Sequence, residues 1–188
     1  MVTKKIIYSQ HNYLLNEVNI KYMGKKAKEI IEGVAIEEVI KDLYSTYADE
    51  WIAHFQYWVF AQSMRGVDAD TLRQELLKQS MDELKHAEKI ARRIIQLGYV
   101  PPSSLEEILK YTGCGQLSMP KDMTDYESFI EEILKAERCA IVKYNELIKK
   151  YRFKDQITYE IFEELLEDEI DDEETWESFL EQYKKKRT

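Results

Sequence analysis

Glu50, Glu83 with His86, Glu137, and Glu169 with Asp172 are the residues whose types and spacing could do chemistry. Each interrupts an apolar row that advances by alternating steps of three and four, the pattern of a helix face turned into a bundle core. One row reads Ile36, Ile40, Leu43, Tyr47, Glu50, His54, Tyr57, Ala61, Met64, and a second Leu76, Glu83, Ala87, Ile90, Ile94, Leu97 with His86 beside Glu83. A third reads Ile130, Leu134, Glu137, Ile141, Tyr144, Ile148, Tyr151, and a fourth Phe162, Leu165, Glu169, Asp172, Trp176, Phe179, Tyr183. An ionised carboxylate without a partner is too costly to bury, so several at mid-height of one bundle call for cations among them. Residues three apart share a helix face, which lets Glu83 and His86 reach one site, and likewise Glu169 and Asp172. One Glu from each of two helices plus a Glu-x-x-His pair from each of two others binds two iron or manganese ions in helical bundles. This chain supplies five of those six groups unchanged.

The elements that must position them follow from composition and punctuation. At 188 residues, with 44% hydrophobic residues but only 6 Gly and 3 Pro, the chain fits one all-α domain with one substantial core. The first long helix is expected over about 35–64, stopped by Gly66, and the second over about 68–97, stopped by Gly98 and the Pro101-Pro102 pair. Ser104 with Glu107 forms a capping-box pattern for a short helix within a long crossover, and Thr124 with Glu127 another for a third long helix over about 125–151. Asp155 caps a fourth, over about 156–184. Residues 1–33 read as an N-terminal arm, 34–184 as the four-helix bundle and 185–188 as a basic tail. No apolar run is long enough for a membrane span and no signal-peptide pattern opens the chain, so a cytoplasmic protein is expected. The net charge of -9 argues against general nucleic-acid affinity; the basic run Lys184 to Arg187 is the one exception and reads first as a solvated terminus.

Glu50 with Gln56-Tyr57, the run Asp82-Glu83-Leu84-Lys85-His86-Ala87-Glu88, Ala136-Glu137 and Asp168-Glu169 resemble bacterioferritin and its relatives across all four long helices. Leu84 stands where bacterioferritin has its haem-ligand Met, so no haem is expected. The chain is more similar to the Dps-like ferritins, or thioferritins, marked by one Cys in the crossover and another just after the third helix's Glu; Cys114 and Cys139 match. The resemblance implies a ferritin-like fold, a homo-oligomeric twelve-subunit cage, two iron ions per subunit, oxidation of Fe(II) with hydrogen peroxide or O2, mineral storage and protection against oxidative stress. It also implies a redox role for Cys114 and Cys139, either as a disulfide tying the crossover to the third helix or as a dithiol feeding electrons toward the site. Asp172 departs from the pattern, standing where the family has the His of its second Glu-x-x-His. A carboxylate there makes the site harder and one unit more negative, favouring ferric iron or Mn(II), or else it empties one metal position. His54, one turn from Glu50, is a candidate extra ligand, and Tyr57 a candidate hydrogen-bond or electron donor behind the ligands.

These readings combine into a ferroxidase in which Glu50, Glu83, His86, Glu137, Glu169 and Asp172 hold two Fe(II), each giving peroxide one electron as the O–O bond breaks. Two other functions use the same residues: a di-manganese catalase or rubrerythrin-like peroxidase that turns over peroxide without accumulating iron, and a structural or DNA-associated shell whose metal centre Asp172 has impaired. The acidic face of Glu163, Glu164, Glu167 and Asp168 reads as solvated surface before it reads as an iron guide.

Overall fold

A computed structural model describes residues 23–186. Residues 1–22 of the expected arm, and Arg187 and Thr188 of the expected tail, lie outside the described residues. Among the described residues six helices follow one another: α1 Lys25–Glu29, α2 Ile36–Ser63, α3 Ala69–Gln96, α4 Leu105–Tyr111, α5 Tyr126–Tyr151 and α6 Gln156–Lys186. The four long ones pair as two hairpins, α2 with α3 and α5 with α6, and the crossover carrying α4 passes over α2 between them. No helix among the described residues is long and apolar enough to cross a membrane.

The stops and caps show which local signals were used. Gly98 ends α3 at φ 79°, a left-handed conformation that costs glycine little, and a Cβ there would lie 2.7 Å from the Met23 carbonyl oxygen. Ser104 caps α4 by accepting from the Glu107 amide, while the Glu107 carboxylate accepts from the Ser103 amide at 2.7 Å. At α5 the expected Thr124–Glu127 box does not form. Asp125 is the cap, accepting from the amide and hydroxyl of Ser128, because Thr124 spends its own amide and hydroxyl on Asp122. Asp155 caps α6 through the Thr158 amide, and its carboxylate also takes both bonds of a buried bidentate pair with Arg93. Lys184 and Lys185 belong to the last turns of α6, where they approach Glu127, Glu131 and Glu181.

The core is not continuous. One apolar cluster gathers Val39, Leu43, Ile90, Ile94, Tyr144 and Leu165; the other gathers Tyr57, Phe60, Leu76, Phe129, Leu134 and Trp176. On each long helix the stretch between the two clusters carries the acidic residues singled out in the sequence, so a polar layer divides the bundle at mid-height. α2 buries more than one stripe because α4 covers a second face, packing Ile108 against Ala48 and Ile52. Tyr47 and His54, expected in the inner row, are only partly buried: at about 100° per residue they lie roughly 60° and roughly 40° to one side of Glu50, at the edge of the inner stripe.

Far from that layer, Arg93 and Asp155 tie α3 to the start of α6 with both groups almost fully buried. Removing the cation leaves Asp155 buried without a counter-charge, a loss of about 3–5 kcal/mol. Arg93→Ala is expected to lower stability by about that amount in denaturant titration while leaving metal stoichiometry unchanged; a loss under about 1 kcal/mol would show the pair to be replaceable.

Candidate metal centre

Each helix delivers its polar residue to the same point because its apolar row aims that face at the bundle axis. Glu50 from α2, Glu83 and His86 from α3 and Glu169 from α6 present one donor atom each within 4.8 Å of one another, all buried. His86 Nδ1 stands 3.3 Å from Glu50 Oε2, 3.3 Å from Glu83 Oε2 and 3.5 Å from Glu169 Oε1. Glu50 Oε2, His86 Nδ1 and Glu169 Oε1 are buried without any hydrogen-bond partner. Orphaned polar atoms are rare in protein interiors, and three converging on one point are what a cation's ligands look like before the cation is counted. At such separations two ionised carboxylates repel by about 3–4 kcal/mol even at an effective dielectric of 20. The four buried glutamates, Glu137 included, match in charge two divalent ions.

The remaining candidates are placed as follows. Glu137 is 1% exposed on α5, and Tyr57 donates to its Oε1 at 2.7 Å. Asp172 stands outside the four-residue group, its Oδ1 accepting from Gln79 Nε2 at 2.8 Å. His54 points elsewhere: its Nδ1 lies 2.6 Å from the Ser80 carbonyl oxygen and 3.0 Å from the Ser80 hydroxyl, which joins α2 to α3. It is not brought to the carboxylates, because the step of four from Glu50 turns it roughly 40° to one side, where it meets α3.

Several groups behind the ligands were missed. Tyr144 donates to Glu50 from α5, mirroring Tyr57 on Glu137; each tyrosine lies seven residues after the glutamate of its own helix, so the Glu50–Tyr57 spacing could have revealed it. Asp168 Oδ2 accepts from His86 Nε2 at 3.2 Å, which leaves Nδ1 free for a metal and fixes the ring. Asp168 reads as surface in sequence because its position is half solvent-facing. Gln79, fully buried between Asp172 and Trp176, interrupts the second row one turn before Glu83.

The crossover roofs the site. Asp49 Oδ1 accepts from the Thr112 hydroxyl and from the amides of Gly113 and Cys114, its other oxygen pairs with Lys143, and Gln56 bonds both the amide and the carbonyl of Leu117. Cys114 and Cys139 are joined in a disulfide that fastens this roof to α5. Beneath it a cavity of about 40 Å³ is lined by Cys114, Gln56 and Tyr57 and reaches Glu50, Glu83, Glu137 and Glu169. On the opposite face, between α3 and α6, a larger cavity of about 380 Å³ is lined by His86, Asp168 and Asp172 with Lys78, Lys85 and Lys89.

Burial raises the carboxyls of Glu50, Glu83, Glu137 and Glu169 above their ordinary range, with mutual repulsion among them adding to it. For His86 burial works downward, but the carboxylates of Glu169, Glu50 and Glu83 outweigh it and hold the ring's pKa well above 6.5. Burial also pushes Asp172 up to about 7, helped by the charges of Glu83 and Glu169. Between 3.8 and about 7 the folded chain thus holds a proton on Asp172 that the unfolded chain has released, so this contribution is present below 3.8 and is lost as pH rises through 7. In metal-free protein, Asp172→Asn removes that loss: the variant's thermal midpoint should gain on the wild type's as pH rises from about 4 to about 8. A difference that stays constant across the range would contradict the assignment.

A family model for the ferritin-like domain matches residues 40–186. The DNA protection during starvation protein of Pyrococcus furiosus is 25% identical over 160 residues, covering 84% of this chain and 86% of that protein. Among solved structures, the dodecameric thioferritin of Bacteroides fragilis, a bacterioferritin-related protein, superposes with a TM-score of 0.81 at 26% identity, covering 87% of this chain and 96% of that one. Dps from Staphylococcus aureus shares the fold, with a TM-score of 0.72 at 16% identity over 79% of this chain and 98% of that one. With a family match spanning most of the chain and a mid-bundle group of buried carboxylates and histidine, this protein belongs to the ferritin family, on the side of the Dps-like ferritins.

Proposed function

We propose that this protein is a ferroxidase of the Dps-like type, which oxidises Fe(II) with hydrogen peroxide, or with O2, and stores the ferric product inside a homo-oligomeric, twelve-subunit cage. The observation that carries the reading is the convergence of three orphaned buried donor atoms in a layer whose four glutamates balance two divalent charges. Iron is substrate here. Glu50, Glu83, His86 and Glu169 hold one Fe(II); Glu137 and Asp172, with Glu83 and Glu169 shared, hold the other. The protons that burial keeps on these groups are displaced as iron binds. Each Fe(II) then gives one electron to peroxide, and cleavage of the O–O bond with uptake of two protons leaves two waters, so no hydroxyl radical is released.

The approaches to the site suit this chemistry. On the roof side a cavity of about 40 Å³ has room for ions, water, O2 or peroxide. Tyr57 and Tyr144 orient the two glutamates that face one another across the layer, and burial raises the Tyr57 phenol well above its ordinary value, so it stays a neutral donor. The Cys114–Cys139 pair at the roof serves as the redox-responsive fastening of the crossover. Oxidation of iron by peroxide and its removal into mineral together constitute protection against oxidative stress; the Pyrococcus relative is named for protection of DNA during starvation. The carboxylate of Asp172 also suits Mn(II), and a di-manganese peroxidase is the second reading.

The test is anaerobic titration of metal-free protein with Fe(II), followed by peroxide. Two irons bound per chain, one peroxide consumed per two irons and continued uptake far beyond two are expected. A fixed metal content with continued peroxide turnover would select the manganese reading, and failure to bind iron would reject the ferroxidase. Glu50→Gln, which removes charge from the four-donor group, should slow oxidation by at least ~100-fold, read from the appearance of ferric absorbance.

A further inference from the structure

This inference rests on the iron-binding reading and concerns its least regular position. Asp172 has a built environment. Gln79, fully buried, donates from Nε2 to Asp172 Oδ1 at 2.8 Å, and Trp176, also fully buried, donates from Nε1 to Gln79 Oε1 at 2.5 Å. An indole N–H can only donate, so the oxygen of the Gln79 amide must face Trp176 and its NH2 must face Asp172. The amide cannot flip without opposing N–H to N–H. The relay Trp176, Gln79, Asp172 therefore has a fixed direction, and it delivers a donor to a carboxylate.

His86 has the complementary arrangement. An imidazole that ligates through Nδ1 carries a proton on Nε2 and needs an acceptor, which Asp168 supplies. A carboxylate ligand needs the opposite, a donor that occupies one oxygen and leaves the other to the metal. Glu50 and Glu137 meet the same requirement through Tyr144 and Tyr57. Each polar residue at these four positions is thus matched by a partner of the sign that its chemistry requires as a ligand. Gln79 holds one oxygen of Asp172 and leaves the other for a metal.

We propose that Gln79, locked by Trp176, is the positioning residue that makes Asp172 a working ligand of the second metal position. The exchange of imidazole for carboxylate at Asp172 is on this account compensated, with Gln79 as the donor a carboxylate requires. Gln79 touches neither iron nor peroxide and acts through Asp172.

The experiment is calorimetric titration of metal-free protein with Fe(II) under anaerobic conditions, comparing wild type, Gln79→Met, Asp172→Asn and the double variant. Wild type should bind two ions per chain. Gln79→Met should weaken the second binding step by about 10–100-fold and leave the first unchanged. In the Asp172→Asn background Gln79→Met should change nothing further, since the residue whose orientation it controls has already lost its charge. A merely structural Gln79 would weaken both steps together, or act equally in both backgrounds, and either result overturns the proposal. So does Gln79→Met with an unaltered second step, or wild type with one ion per chain. Binding of one ion or none by wild type would overturn the two-iron ferroxidase as well; the failures seen only in the variants leave it standing.

Discussion

The structure turns on one electrostatic constraint: four glutamates and a histidine are buried at the same height of a bundle, between two apolar clusters. Helices interrupted in this way would ordinarily be poor packing partners, because every buried charge must be compensated. The two apolar clusters on either side of the layer supply the adhesion and hold the four backbones in register. The layer can then be specialised for cations without being asked to stabilise the fold. Division of labour along the axis also explains why the burial-raised carboxyls are tolerated: protons stand in for metal until metal arrives.

The same economy appears across α2. Asp49 and Glu50 are neighbours, as are Gln56 and Tyr57, and each pair splits its duties: Glu50 and Tyr57 face the layer while Asp49 and Gln56 grip the crossover. Adjacent helix positions diverge by about 100°, so one helix can serve two faces only if both are covered. The crossover provides that second cover, and its attachment through Asp49 sits one residue from a metal-facing carboxylate.

Much of this was legible in the sequence because burial of charge is so improbable by default. The four long helices followed from periodicity and the stop at Gly98 from its glycine, although α2 leaves the helix at Met64, before the expected stop at Gly66; Glu50, Glu83, Glu137 and Glu169 stood out as violations of the apolar period. What sequence reasoning lost were partnerships. His54 looked inward by its spacing from Glu50 but turned to Ser80, since a step of four residues leaves it roughly 40° to one side. The cap of α5 moved from Thr124 to Asp125 because an upstream aspartate competed for the threonine. Gln79, Tyr144 and Asp168 were passed over because a glutamine, a tyrosine or an acid on a helix carries no signal until its neighbour across the bundle is known.

Those partners give the two hairpins an approximate internal correspondence: Glu50 with Tyr57 and Glu83 with His86 in the first, Glu137 with Tyr144 and Glu169 with Asp172 in the second. The tyrosines exchange hairpins, each bonding the other's glutamate, so neither half can complete its own site. The correspondence breaks at His86 and Asp172, and it breaks in their partners too, an acceptor behind one and a donor behind the other. A substitution that merely damaged one half would have left its surroundings as they were for the imidazole. Here the surroundings have the opposite hydrogen-bonding sign, a donor where the imidazole has an acceptor, which is the sign that the proposed coordination by Asp172 requires.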